Sequence, residues 1–420
     1  MPISLKRKIK NKLYNYIKYN EFSAIIAMII MILIIVWSKY TGKRIEFIDW
    51  TIFATLVATL LLKIIAGGIK SRILNWLEDS AKLTENYGDL SSKYKNKQIT
   101  YDNSKASKEN QRLIDRLKMD KQVTIPVICD YKLEGYDVIV IDSKKDYELP
   151  EIIKEHFDEI IEAHSTSDIY NQLNVRVDNW KVREGKFIIE TSRTSYYNSL
   201  VTNRAMDFKW ENKVSIRDLF EYSPYLNTLK ESSLSNYLGF NGFIESTDGY
   251  IIFVKRNKNI SIAKRTYGSS ISAGLKSKYA LNDENMFSKY GLKKGILCQI
   301  EEELKIPKSG LENFSLRRNL IAAYRDIVEG GKPQLLFYVK SKWSREEIVS
   351  NFKCKIKKKY SDTEQRFEDG TRFLWIHNSE LSEIAVLQDK IIYKGKIYAM
   401  VPTITASVVM LIDKKRRKKN

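Results

Sequence analysis

Cysteine and histidine are scarce in this chain. Its cysteines, Cys129, Cys298 and Cys354, are odd in number and far apart, so neither a disulfide framework nor a CxxC zinc pattern follows. The histidines, His156, His164 and His377, are too scattered to suggest a metal cluster. Both features suit a reducing compartment. No segment repeats at a period of about 20–50 residues, which excludes a solenoid reading. Positive charge, by contrast, is plentiful: 71 Lys and Arg against 51 Asp and Glu, a formal net charge of +20 over 420 residues. That balance favours anionic partners such as phosphates, nucleic acid or lipid headgroups, and a composition rich in Lys, Ile, Asn and Tyr contributes to it. With 43% hydrophobic and 29% charged residues, the chain can bury ordinary cores and is not a disordered one.

Two long apolar runs stand near the N-terminus. Residues 22–40 contain FSAIIAMIIMILIIVW, and residues 50–69 read WTIFATLVATLLLKIIAGGI. Each is long enough to cross a hydrocarbon core of about 30 Å. Trp37, Tyr40 and Trp50 fall at the same end of the two runs, where amphipathic rings favour a membrane interface. The runs are too long and too closely spaced for a cleaved signal peptide. Lys6, Arg7, Lys8, Lys10, Lys12 and Lys18 precede the first run, and Lys70 and Arg72 follow the second. The cation bias therefore predicts a multi-pass inner-membrane protein with both termini in the cytoplasm. Lys63, inside the second run, reads either as a cation snorkelling to the interface or as a charge lining an oligomer interface or pore.

Beyond the apolar runs, Ile69, Ile73, Trp76, Leu83, Tyr87, Leu90 and Tyr94 follow alternating four- and three-residue steps, with Ser80 filling the gap after Trp76. This is a short heptad seam, or an amphipathic helix lying on headgroups. Residues 91–110 read as a polar linker. VTIPVICDYK, YDVIVIDS and KFIIETS have strand character, and residues 150–163 have helical spacing. Residues 215–226 and 228–238 suggest short helices. Residues 241–246 and 249–256 flank Thr247-Asp248-Gly249, a hairpin signature. A small-residue loop, GSSISAGLKS, precedes a helix over residues 287–306, which ends before Pro307. Residues 313–327 read as a long strand, Glu329-Gly330-Gly331-Lys332 as a turn, and QLLFYVK as a strand. A helix is expected over residues 344–352. Residues 402–412 suit a final helix or, from their Thr, Ile and Val content, a strand.

The order from Gly239 onward resembles a Nudix domain: a strand YIIFVKR, a glycine-containing loop, a helix ending EEELKI, a strand, then a Gly-Gly hairpin into an apolar strand. In Nudix hydrolases that helix carries glutamates that hold a divalent metal beside a diphosphate, where the cation bridges phosphate oxygens and activates water. Here the box is degenerate. Ile300, Glu302, Glu303 and Ile306 match it, whereas Glu284, Tyr290, Cys298, Gln299 and Lys305 stand where the family has Gly, Glu, Arg, Glu and Gly. A glutamine is neither a base nor an anionic ligand, and two carboxylates alone make a weak magnesium site. The phrases SYYNSLVTNRAMDF, LGFNGFIESTDGYIIFVKR and EEELKIP are also similar to Nudix-like domains fused to two transmembrane segments and associated with cyclic-oligonucleotide synthases of the CBASS anti-phage type. That resemblance implies a domain sensing a nucleotide second messenger, with the membrane helices as an oligomerising, membrane-disrupting effector, no resident cofactor and no duplex nucleic acid partner.

The fold class expected is therefore a two-helix transmembrane anchor plus a cytosolic α/β (α+β) region ending in a Nudix-like α/β/α sandwich. Its segments would be residues 1–21 (basic), 22–40 and 50–69 (spans), 70–120 (stalk and linker), 121–238 (intermediate), 239–412 (sensor) and 413–420 (polybasic tail). A phosphate-rich ligand needs cations and backbone donors around a cleft. The candidates are Lys255, Arg256, Lys264, Arg265, Lys276, Arg317, Arg318 and Arg325, with Tyr267 as a stacking partner. A solvated basic surface and packed aromatics are the plainer readings of the same residues. The tail KKRRKK, residues 414–419, reads as a lipid-binding or a solvated segment. Two other functions stay open. One is a membrane-tethered hydrolase of nucleoside diphosphate derivatives using Mg2+ on Glu302 and Glu303. The other is a partner-binding anchor without a small ligand.

Overall fold

The computed structural model describes residues 83–164, 171–210, 214–256, 266–359 and 372–417. The chain divides into two compact units: residues 1–80 with 162–166, and residues 81–161 with 167–420. The second is built on an eight-stranded mixed sheet. Its strands are β1 (Val127–Lys132), β2 (Gly239–Glu245), β3 (Tyr250–Lys255), β4 (Tyr267–Gly268), β5 (Ile271–Gly274), β6 (Leu320–Asp326), β7 (Lys332–Lys340) and β8 (Arg372–His377). The order is β8-β3-β2-β7-β6-β1, with β5 pairing β2 and β4 pairing β3. β2 and β7 run parallel, and the other pairs are antiparallel. Residues on both sides of position 239 thus contribute to one sheet.

Side chains alternate between the two faces of a strand, and here both faces are covered. On one face Phe240, Ile244, Leu335, Phe337 and Val339 pack with Leu292, Ile296 and Ile300 of a helix, α2 (Lys289–Leu304). On the other, Phe243, Phe253, Leu336 and Tyr338 pack with Ile404, Val408 and Leu411 of the last helix, α4 (Pro402–Arg417). α2 ends with Lys305 in the left-handed region, at φ 60°, as a terminal αL cap does. Between these two helices in the chain lies α3 (Arg345–Lys359). Smaller sheets flank the body. One joins Asp137–Asp146, Lys186–Ser195 and Leu173–Arg183, and another joins Ala385–Val386, Lys390–Tyr393 and Lys396–Ala399.

Local outcomes depart from the sequence expectation at residues 313–327 and over residues 228–238, a stretch that forms no helix. The strand expected over residues 313–327 is confined to β6, because Leu316–Asn319 forms a helical turn first. There the Arg318 guanidinium folds back onto Ser315 Oγ at 3.1 Å and Asn313 O at 2.9 Å. The ambiguous C-terminal segment is a helix despite its β-branched content. Pro402 takes the first helical position, where its missing N–H costs nothing. Thr405 Oγ1 and Ser407 Oγ then donate to the carbonyls of Pro402 and Thr403, at 3.0 and 2.7 Å, back-bonding that a helix tolerates.

The membrane architecture and location require correction. Among the described residues no helix is long and apolar enough to cross a membrane, and what the structure presents is a mixed α/β fold. The two expected spans, with Trp37, Trp50 and Lys63, lie outside the described residues. The described part of the heptad seam does not face another chain. A helix α1 (Tyr87–Lys93) and its flanks bury Leu90 and Tyr94, with Leu83 and Tyr87 beside them, against Ile128, Leu226, Ile327 and Val328. The first residues of the basic tail belong to α4, where Lys414 pairs with Glu134 and Lys415 with Glu245, whose carboxylate also accepts from Tyr338.

One buried ion pair ties the flanking three-stranded sheet to the approach of α2. Arg193 donates to both Asp142 oxygens at 2.7 Å, and Asp142 also accepts from Thr191 Oγ1 at 2.9 Å and Phe287 N at 2.8 Å. Burial opposes its charge, but these donors outweigh burial and hold the Asp142 carboxyl below its ordinary value. Replacing Arg193 by Met should cost about 3–5 kcal/mol in urea unfolding, because the carboxylate is left buried and unpaired. Because the folded value of Asp142 is depressed, its contribution is present above the usual carboxylate range and is lost as pH falls through the lowered value. Arg193→Met should therefore flatten the acid limb of the wild-type stability curve.

Candidate functional site

The polar face of the sheet lies under α4, toward the start of β2 and β7. Across the strands Gly274, Gly239, Gln334 and Tyr324 form one row, with Ser272 beside Asn241 and Lys332 beside Asp326. The adjacent glycines leave no side chains of their own, and neighbours fill the space. A Cβ at Gly239 would collide with the Gln334 carboxamide, and one at Gly274 with the Tyr237 ring. Asn241 organises the floor. Its Nδ2 donates to Tyr324 OH at 2.5 Å, and its Oδ1 accepts from Ser272 Oγ at 2.7 Å and Ser269 Oγ at 3.3 Å. Tyr324 OH continues to Ser407 of α4 at 3.1 Å. Burial pushes the Tyr324 phenol up to about 12, so it stays neutral and donates or accepts as needed.

A buried charged cluster closes one end of this row. Glu329 Oε2 lies 2.9 Å from Lys332 Nζ and 3.1 Å from Arg204 Nε. Tyr237 OH accepts from Lys332 Nζ at 2.8 Å and from Arg204 Nη2 at 3.2 Å. Burial works against ionising Tyr237, yet Lys332 and Arg204 draw its phenol below the ordinary value. For Glu329, burial is likewise overcome by Arg204 and Lys332, and the charge of Arg256 adds to their effect. Asp326 has no such ion pair at hand. Burial and the neighbouring Glu329 charge push it up to about 7. Buried Lys332 and mostly buried Arg204, with the charge of Arg256 acting on the cluster, thus face an ionised Glu329 and an Asp326 whose carboxyl is raised.

The turn that carries the cluster is held from behind. Gly330 and Gly331 adopt φ of 64° and 81°, which favours glycine, and a Cβ at Gly330 would collide with Leu234 and Met206. Arg217 donates to the carbonyls of Ile327 and Val328 at 2.9 and 2.8 Å while paired with Asp207 at 2.8 Å. Gln334 is 6% exposed, and its carboxamide lies over Gly239, where a Cβ would come within 2.2 Å of its Oε1.

The residues singled out from sequence fall in several places. Lys255 and Tyr267 pair across β3 and β4, with Lys255 Nζ 5.7 Å from the ring centroid, and Arg256 follows them toward Glu329. Tyr267 packs edge-on against Tyr398. Lys276 lies elsewhere, 2.7 Å from Glu302. Arg325 is committed to Asp130 at 2.8 Å and to Asn227 O at 2.7 Å. Arg317 meets Asp137 at the surface, and Arg318 is exposed. Lys264 and Arg265 lie outside the described residues. Glu302 is held by Lys276, with Lys278 at 3.9 Å; despite partial burial these cations keep its carboxyl below the ordinary range. Glu303 accepts from Gln299 at 2.8 Å. Magnesium does not fit this pair, since a lysine already occupies the approach to Glu302. Among the described residues no group of three or more His, Cys, Asp or Glu is placed to hold a metal ion.

Arg204, Tyr237, Asn241, Glu329, Lys332 and Gln334 were not singled out from sequence. Their one legible signal is polarity inside apolar strands: Asn241 within GFNGFIE, and Lys332 and Gln334 leading into LLFYV. The raised carboxyl of Asp326 has a measurable consequence. Its folded value lies above its unfolded one, so the native state holds an extra proton between about pH 4 and 7 and loses stability as pH rises through that window. Asp326→Asn should remove that decline, gaining on the wild type from pH 5 to pH 8 when thermal unfolding is followed across pH.

No protein-family model matches the chain, and no curated protein matches it. Among solved structures, DR0079 from Deinococcus radiodurans is similar over 34% of this chain and 69% of that chain, at 10% identity and a TM-score of 0.22. The MutT protein from Methanosarcina mazei Go1 is similar over 44% of this chain and 95% of that chain, at 10% identity and a TM-score of 0.23. At these TM-scores neither likeness brings a fold, an activity or a ligand to this chain.

Proposed function

We propose that this chain is a Nudix-like binding module that takes a phosphate-bearing, nucleotide-derived ligand and does not hydrolyse it. The observation that carries this reading is the buried cluster of Lys332, Arg204, Glu329 and Tyr237 beside the polar floor under α4. A surplus of desolvated cations is favourable for an anion, since a charge-assisted hydrogen bond is about twice as strong as a neutral one. The Asn241, Ser272 and Tyr324 groups next to it supply hydrogen bonds for the neutral part of such a ligand. The absence of hydrolysis follows from the α2 glutamates, of which Glu302 is neutralised by Lys276 and Glu303 is bonded to the glutamine that replaces a carboxylate. A second messenger of the anti-phage kind implied by the sequence resemblance is one ligand of this class.

The test is calorimetry and thermal shift on the full chain with pyrophosphate and nucleoside diphosphates, with and without magnesium, followed by chromatography for products. Binding should appear without magnesium and without turnover, and a ligand at a hundred times its dissociation constant should add about 2.7 kcal/mol of stability. Lys332→Met should abolish binding. Arg256→Gln, at a half-buried position that threatens the fold less, should weaken it about tenfold, the loss of one charge-assisted contact. Turnover abolished by Glu302→Gln would overturn the reading in favour of a hydrolase.

A further inference from the structure

The flanking three-stranded sheet ends in a strand with one free edge. Asp137–Asp146 pairs with Lys186–Ser195 on one side and, among the described residues, with no strand on the other. The opposite border of the same sheet, Leu173–Arg183, is bridged to Lys276 and Tyr237 through Asn174 and Arg176. The free edge is also apolar on its outer face. Alternation sends Val138 and Val140 inward to the core beneath α2, and Asp142 inward to Arg193. Asp137, Ile139, Ile141 and Ser143 therefore face outward. Ile141 is 53% exposed, and half-buried Ile139 lies beside half-buried Ile188 of the next strand. Natural edge strands are blunted by charge or by a bulge. Here both devices come late: the register shifts after Asp142, and Lys144 takes a φ of 58°, with Lys145 next to it. Residues 137–143 are left regular and unprotected.

We propose that this edge pairs antiparallel with the same edge of a second copy of the chain, joining the two three-stranded sheets into one continuous sheet. Charge selects both the partner and the direction. The segment begins with an acid, Asp137, and closes on two cations, Lys144 and Lys145. Parallel pairing would set like ends side by side, whereas antiparallel pairing brings the acid of each copy toward the cations of the other. A twofold axis through Val140 places Ile139 of each copy opposite Ile141 of its mate. Asp137 then lies opposite Ser143 and within diagonal reach of Lys145, and no like charges are opposed. The outward isoleucines cover one another, and β-branched cross-strand pairs are favourable sheet contacts. Such an interface is isologous, so it closes on itself and leaves this edge unable to recruit a third copy.

The experiment is sedimentation velocity of the full chain over a concentration series, on the wild type and on Ile141→Lys. One short strand pair is a small interface, so the wild type should pass from monomer to dimer between about 1 and 100 μM. Ile141→Lys should raise the dissociation constant at least about tenfold, because both isoleucine pairs are lost at once. Its thermal midpoint should stay at the wild-type value, since the side chain is exposed. Crosslinking then locates the contact. With the exposed native thiol removed as Cys354→Ser, an oxidised equimolar mixture of Ile139→Cys and Ile141→Cys chains should give more disulfide-linked dimer than either chain alone. Should Ile141→Lys fail to fold, that comparison decides by itself. A wild type that stays monomeric throughout the series would overturn self-pairing and leave the edge to a strand of another protein. An oligomer that Ile141→Lys does not weaken, or a mixture that crosslinks no better than its components, would also overturn it.

Discussion

The whole of β2 is buried: every residue from Gly239 to Glu245 is sheltered from solvent. A strand in that position must satisfy its backbone on both edges and its side chains on both faces. Parallel pairing to β7 on one edge, with β5 and β3 on the other, meets the first demand. The second divides the strand. Phe240 and Ile244 serve the core beneath α2, while Asn241, Phe243 and Glu245 serve the layer beneath α4. The placement of both helices, and of the polar floor between them and the sheet, follows from this one buried strand.

Polar groups in such a place persist only if they are mutually satisfied or await a partner. Asn241 and Tyr324 are of the first kind. Their bonds reach β5 and α4, and so join the sheet to its last helix. The pairing of Lys415 with Glu245 and Tyr338 makes a second polar clasp between α4 and the sheet. The cluster around Glu329 is of a different kind. It gathers more positive than negative charge, and the raised carboxyl of Asp326, caused by burial and then by the neighbouring Glu329 charge, is the cost of that arrangement. Arg217 and α1 brace the turn on its other side, so the cluster is carried on a turn that is fixed rather than free.

The same physics explains why the glutamates of α2 are ordinary here. A magnesium site needs carboxylate oxygens open to the ion. Lys276 approaches Glu302 from the helical turn before α2, and Gln299 occupies the neighbouring helical position. Charge that the sequence placed near a phosphate has been spent inside the protein. Arg325, committed to Asp130 and a carbonyl, is a further case.

Local patterns in the sequence determined much of the secondary structure. The Asp-Gly turn before Tyr250, the glycine pair after Glu329, the apolar spacing of α2 and its stop before Pro307 each act over a few residues, and local chemistry suffices to read them. The helical form of residues 402–417 was not decided locally, because Thr, Ile and Val there suit either state until the burial of one face against the sheet selects the helix. The site was still less legible. Arg204, Tyr237, Glu329, Lys332 and Gln334 are brought together from three stretches of chain by strand register and by a tight turn. Which lysine or arginine finds an acidic partner depends on neighbours distant in sequence. The sequence by itself determined the charge, the turns and the order of the elements. Only the tertiary structure decided which polar groups would be buried together, because desolvation and pairing exist only once the layers have closed.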